Sequence, residues 1–403
     1  MPEIYYRLIS VGGLLCMVGI AFLCSEDRQS VSIRTILWGG GIQIALAIFI
    51  LKTTPGLMIF EAAQGGFTKL IHFSDAGASF LFGSLATDET YGARVAFHVL
   101  PIIVFVSALS GILYHLKVIQ FLVRWAAKAM QKTLGTSGAE SVGAALFVFL
   151  GIESVTAIDE YIKRMTRSEL FVIMSAFLST IATSVMGAYV SFGAEAGHLL
   201  AASLMSAPAA VVIAKIMVPE REEPVTGETI EFEPEVTTQN ILDAAASGGT
   251  QGVRLAINVG ALLIVFVGLV DMVNFALESM AGIPLNVVFG YAFAPFAAVM
   301  GVPWEDVLQV GQLLGVKTVL NEFIAYSRMQ EMVEAQELTA RAHTISTYAL
   351  CGFANFGSIG ILLGGLRGVA PDRGSEVAAL GLKALLAGTL AAFMTACCAG
   401  ILA

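Results

Sequence analysis

Long, nearly uninterrupted apolar runs decide what this chain can fold into. Leu170 to Phe192, His198 to Val218, Thr250 to Ala276 and Glu376 to Ala403 are each long enough to cross a hydrocarbon core of about 30 Å at about 1.5 Å per helical residue. Hydrophobic side chains make up 57 % of the 403 residues and mean hydropathy is +0.80, more apolar surface than a soluble domain of this length buries. The fold class is therefore all-α, a polytopic membrane protein. A transmembrane barrel is disfavoured, because the runs are continuous and not short alternating segments. The net charge of −9 comes largely from connections, above all Pro219 to Asp243, and no basic patch points to nucleic acid. The run Leu8 to Leu23 imitates a signal peptide, but Ser25-Glu26-Asp27-Arg28 offers no small-x-small cleavage site, so it is taken as the first spanning helix.

Along the chain, helices are expected near 7–24, 36–51 and 95–116, the last with Pro101 inside it, and an interfacial helix over 53–82. Ala144 to Ile152 is apolar for too few residues to span and is cut off by Glu153, which predicts a re-entrant hairpin with Gly151 near its tip. Leu170 to Phe192 carries Ser175, Ser179, Thr180, Thr183 and Ser184 at its centre, either beside unwound backbone and a wet cavity or as packing hydroxyls. His198 to Val218 is expected to kink or break at Pro208. A soluble linker, Pro219 to Asn240, divides two halves that echo one another. In the second half, Val287 to Met300 reads as an interfacial or short helix, Gly315 to Tyr326 as a second hairpin, and His343 to Leu366 as a span interrupted at Asn355-Phe356-Gly357-Ser358.

Paired discontinuous segments in corresponding positions point to a transporter built from internal repeats, with its solute near mid-membrane. The expected architecture is about eight transmembrane helices, two re-entrant hairpins and interfacial helices in an inverted-repeat, elevator-type arrangement. Its divisions are 1–118 (N-terminal scaffold), 119–218 (first transport repeat), 219–249 (acidic linker), 250–304 (scaffold and interfacial helix) and 305–403 (second transport repeat).

A carboxylate inside such a chain needs partners, and Glu322 with Asn321, Asn355 and Ser358 form a set suited to a neutral, polyhydroxylated solute. The competing readings are an ion pair between Glu322 and Lys317, interhelical hydrogen bonds for Asn355 and Ser358, and plain core packing for Phe353, whose ring could otherwise cover a flat base. No enzyme is expected: nucleophile–base pairs, metal-ligand spacings and a phosphate loop are all missing from the sequence. The run Gly360 to Leu366 lacks the P-loop lysine, and Cys16, Cys24, Cys351, Cys397 and Cys398 lack CxxC spacing.

LNEFIAY (Leu320 to Tyr326), TYALCGFANFGSIGILLGGL (Thr347 to Leu366), LLAGTLAAFMTACCAGIL (Leu385 to Leu402) and STIATSVMGAYVSFG (Ser179 to Gly193) strongly resemble the concentrative nucleoside transporters, over nearly the whole chain. The resemblance implies a homotrimer in a bacterial inner membrane. Each protomer would import nucleosides on a sodium or proton gradient, with no cofactor beyond the coupling ion. It also implies that Glu322, Asn355 and Ser358 contact the ribose, that Phe353 and Val185 lie beside the base, and that Thr180 matches a Ser/Thr sodium ligand.

Two departures stand out. The first hairpin reads Gly151-Ile152-Glu153-Ser154-Val155 and is one residue short, so Glu153 keeps the family glutamate's place, as altered base contact or proton carrier, while Ile152 stands near a lost glutamine. Phe147 falls where sodium-coupled relatives carry an asparagine ligand. Two further readings remain: transport of a different sugar-bearing or heterocyclic solute, and a binding-only membrane receptor.

Overall fold

The computed structural model describes residues 2–87, 95–224, 226 and 238–403, with side chains throughout except at Pro2 and Glu153. Residues 225 and 227–237 of the expected acidic linker thus lie outside the described residues. Among those described there is no strand. The principal helices are α1 (Pro2–Leu23), α2 (Ile33–Lys52), α3 (Thr54–Phe82), α4 (Leu100–His115), α5 (Val118–Leu134), α6 (Gly138–Leu150), α7 (Arg167–Ser179), α8 (Thr183–Ser191), α9 (Ala196–Met217), α10 (Ile241–Ala281), α11 (Leu285–Val299), α12 (Val307–Val319), α13 (Glu322–Glu334), α14 (Ala340–Leu350), α15 (Phe356–Val369) and α16 (Gly374–Leu402).

Seven helical segments among the described residues are long and apolar enough to cross a membrane, one of them being α7 and α8 taken together. The interrupted pair α14 and α15 supplies the eighth crossing the sequence predicts, in two halves that are each too short. Pro208 lies inside α9 without breaking it, and Pro101 lies inside the helical segment Val95–His115, as expected, just after a π-helical turn at Val95–Val99. The long helix starts at Ile241, earlier than its apolar stretch, because Asn240 accepts from Asp243 N at 2.9 Å and caps it.

Both hairpins return to where they started. Ahead of the first, Ser137 and Glu140 form a capping box on α6. After it, Thr166 and Glu169 form one on α7, and Ser137 Oγ donates to Glu169 Oε1 at 2.5 Å. The chain therefore leaves and re-enters at one place, turning at Gly151 to Glu153 and coming back through two single-turn helices. The second hairpin closes the same way: Asp306, just before α12, accepts from Thr339 Oγ1 at 2.6 Å, just before α14. An arginine fastens each base. Arg373 donates to the carbonyls of Ile162 (2.9 Å) and Met165 (2.6 Å), and Arg341 to those of Gly301 (2.9 Å) and Gly400 (2.6 Å). Outside the membrane segments, Glu26 in the α1–α2 loop is held below the usual carboxylate range, first by its hydrogen bond from Arg167 and then by Lys383.

Helices α7, α9 and α16 form the buried centre, with α1 lying on α16 and α2 on α9. The 41-residue α10 packs chiefly along α4, where Gly248 and Gly252 let the backbones approach at Ser107 and Val104. The two helix interruptions, at 180–182 and 351–355, meet one another: Phe353 N donates to Thr180 O at 3.3 Å. Gly352 makes that approach possible. Its φ is +155°, and a Cβ there would lie 2.8 Å from the Ser179 carbonyl oxygen. Gly352→Ala is therefore expected to cost about 1–3 kcal/mol, read as a lower melting temperature in detergent. Alanine at Gly364, where nothing lies within 4 Å, should leave melting unchanged.

Candidate functional site

Each half contributes helix ends to one cavity of about 680 Å³, counting its open mouth. The first hairpin supplies Gly151 and Ile152, and the segment after it Phe177, Ala182 and Val185. The second hairpin supplies Leu320 to Phe323, and the second interrupted helix Phe353, Asn355, Gly357 and Ser358. Leu255, Val259, Leu262 and Phe266 of α10 close the remaining side. Both hairpin tips thus face a common space, as the sequence predicts, although the Glu153 side chain lies outside the described residues.

Glu322 is the centre of this arrangement. It is the first residue of α13 and only 2 % exposed, and its two oxygens are used separately: Oε1 accepts from Tyr189 Oη at 2.9 Å and Oε2 from Asn355 Nδ2 at 2.8 Å. Hydrogen bonds to an ionised acceptor are stronger than neutral ones, and the N-terminus of α13 adds its positive dipole end. The two asparagines do paired work. Asn321 caps α13 by accepting from Ile324 N at 3.0 Å, and Asn355 caps α15 by accepting from Ser358 N at 2.8 Å. Asn355 therefore holds a helix start with its oxygen and the carboxylate with its nitrogen.

Lys317 is not the partner of Glu322. Its ammonium, 1 % exposed, donates to Ala349 O at 2.8 Å, and Tyr326 Oη donates to Thr347 O at 2.7 Å. Both carbonyls belong to the last turn of α14, where a helix that stops inside the membrane leaves acceptors unpaired. Tyr326 also stacks on Tyr189, with ring centroids 4.7 Å apart, which fixes the phenol that reaches Glu322.

The other wall is aromatic. Phe353 lies 5.7 Å from Phe177, and Phe177 lies 5.6 Å from Phe147, ring centre to ring centre. Phe147, the first of this row, is fully buried. Thr180 is also buried, and its hydroxyl donates back to Ala176 O at 2.8 Å. Val185 and Ser358 line the cavity, while Ile152 presses on Gly365 of α15. Tyr189 and Tyr326 were not among the residues expected here; a tyrosine in an apolar run looks like core until its hydroxyl's partner is seen.

Comparison with known proteins agrees with this geometry. Residues 12–85 match the description "Na+ dependent nucleoside transporter N-terminus", residues 96–196 "Nucleoside recognition" and residues 198–400 "Na+ dependent nucleoside transporter C-terminus". Mouse solute carrier family 28 member 3 is 41 % identical across 98 % of this chain, which spans only 59 % of that relative's length. The uncharacterized transporter YutK of Bacillus subtilis is 42 % identical, covering 96 % of this chain and 98 % of its own. The structure of CNTnw in an inward-facing substrate-bound state superimposes with a TM-score of 0.93 at 39 % identity, over 98 % of this chain and 97 % of that one. Matched over nearly all of its length in both sequence and shape, the chain belongs to the concentrative nucleoside transporter family.

Proposed function

We propose that this protein imports nucleosides across a bacterial inner membrane, by secondary transport coupled to a cation gradient. The observation that carries the reading is the Glu322 carboxylate, held by Tyr189 and Asn355 inside a largely apolar cavity. A carboxylate with an amide donor beside it matches two neighbouring sugar hydroxyls, which donate to the one and accept from the other, with Ser358 within the same wall. Phe353, backed by Phe177 and flanked by Val185, offers a flat apolar face to the base. Glu153 serves as base contact or proton carrier.

The proton is the coupling ion in this reading. Hard cations need oxygen ligands, and the position that the family resemblance assigns to a sodium ligand holds the buried ring of Phe147, packed edge-on against Phe177. The matching Thr180 hydroxyl donates to Ala176 O, which leaves its lone pairs free for a cation, so the ligand a sodium site would lack is the one that Phe147 replaces. In this reading residues 1–118 and 250–304 form the stationary scaffold, in which α10 packs along α4, and the transport repeats 119–218 and 305–403 travel with the hairpins. The apolar face of α10 that this chain leaves uncovered suits lipid and the neighbouring protomers of a homotrimer.

Uptake of radiolabelled uridine and adenosine into proteoliposomes, with sodium and pH gradients imposed separately, tests the reading. Uptake driven by the pH gradient alone is expected. Uptake that needs sodium would overturn the assignment of the proton, in line with the Na+ of the matched family description. No uptake under either gradient would overturn nucleoside transport itself.

A further inference from the structure

Helix α5 buries one face and leaves the others open among the described residues. Ile119, Val123, Ala127, Met130 and Leu134 are buried, at the three- and four-residue spacing of a single helical stripe. The opposite side is apolar yet uncovered: Phe121 is 67 % and Trp125 72 % exposed, with Val118 and Leu122 beside them. Along one edge of that apolar strip run Lys117, Arg124, Lys128 and Lys132, all exposed. None of the four forms an ion pair among the described residues, and the sequence from Val95 to Ala139 contains no aspartate or glutamate.

We infer that α5 is a docking surface for anionic phospholipid, its aromatic strip sunk among acyl chains and its basic edge on the headgroups. An apolar strip left open by the described residues, bordered by cations with no ion-pair partner among them, has the chemistry of a helix lying in a membrane interface, where long basic side chains reach out to the charged layer. Zwitterionic lipid would satisfy the apolar strip but leaves the basic edge with no net counter-charge, which is why the occupant is anionic.

The attachment bears on the transport machinery because α5 is rooted in it. Its last carbonyls are taken by α2, Leu134 O accepting from Thr35 Oγ1 at 3.1 Å and Lys132 O from Arg34 Nη2 at 3.0 Å. Past Gly135, at φ +69°, the chain turns directly into Ser137, the base of the first hairpin. A lipid held on α5 is therefore held at the foot of that hairpin.

Trp125 is itself the probe. Of the three tryptophans, Trp38 and Trp304 are surface residues outside α5. The full-length protein carrying Trp38→Phe and Trp304→Phe would be reconstituted in phosphatidylcholine vesicles with about one-fifth of the lipid brominated, as phosphatidylglycerol in one set and phosphatidylcholine in the other. The quencher then sits at the same depth in both, and only the headgroup differs. Brominated phosphatidylglycerol should quench Trp125 at least about twofold more strongly, and the excess should vanish in high salt and in the triple variant Arg124→Gln/Lys128→Gln/Lys132→Gln. Equal quenching by the two lipids overturns the proposal, as does an excess that survives either high salt or the triple variant. Should the triple variant fail to reconstitute, the headgroup comparison and its salt dependence decide alone.

Discussion

Glu322→Gln is expected to lower nucleoside affinity by about a hundredfold or more while leaving the fold in place. The two side chains occupy the same volume, so packing around α13 is unchanged. What changes is the sign of the site: one acceptor oxygen becomes an NH2 group, facing donors on Tyr189 and Asn355 that sit 2.9 and 2.8 Å from the carboxylate. Hydrogen bonds to a charged group contribute about 1.5–3 kcal/mol each, and a sugar would lose at least one of them, along with the pairing that orients the other. Initial rates of uptake across a range of nucleoside concentrations measure the loss, and a melting temperature close to that of the unaltered protein shows that the fold survived. Normal uptake by this variant would remove Glu322 from the sugar site.

Asn355→Ala should be nearly as damaging to transport and worse for stability, because one side chain does two jobs. Its oxygen caps α15 at Ser358 N, a contribution of about 1 kcal/mol. Its nitrogen satisfies a buried carboxylate that would be left with Tyr189 alone, at a cost of about 1–3 kcal/mol. Asn355→Ser separates the two. Serine caps a helix start well but is too short to span to Glu322, so melting should recover most of the way while uptake stays low. If serine restored both, the contact to Glu322 would have no part in transport.

Much of this was legible before any coordinates. The interruption of apolar runs at Gly151 and at Leu320 to Glu322 identified the hairpins, since a short apolar run ending in a carboxylate has few homes in a membrane. The asparagine and serine of the second interrupted helix declared themselves the same way. Hidden from the sequence were contacts between residues far apart along it. Lys317 finds a carbonyl 32 positions away, where the sequence offered an ion pair with Glu322 as the competing reading. Tyr189 reaches across 133 positions to the carboxylate. A proline can interrupt an isolated helix, whereas α9, packed against α7, α16 and α2, runs through Pro208 unbroken.

The wall that α10 gives to the cavity is made of Leu255, Val259, Leu262 and Phe266, with no hydrogen-bonding side chain among the four. Every polar contact described for Glu322 and its neighbours is made within the opposite body. A loaded cavity gliding along α10 would break none of those bonds and form no new ones on the way. Such a contact would behave as a lubricated bearing, with friction set by how leucine, valine and phenylalanine ride over one another, and a single serine or asparagine placed in it would act as a brake.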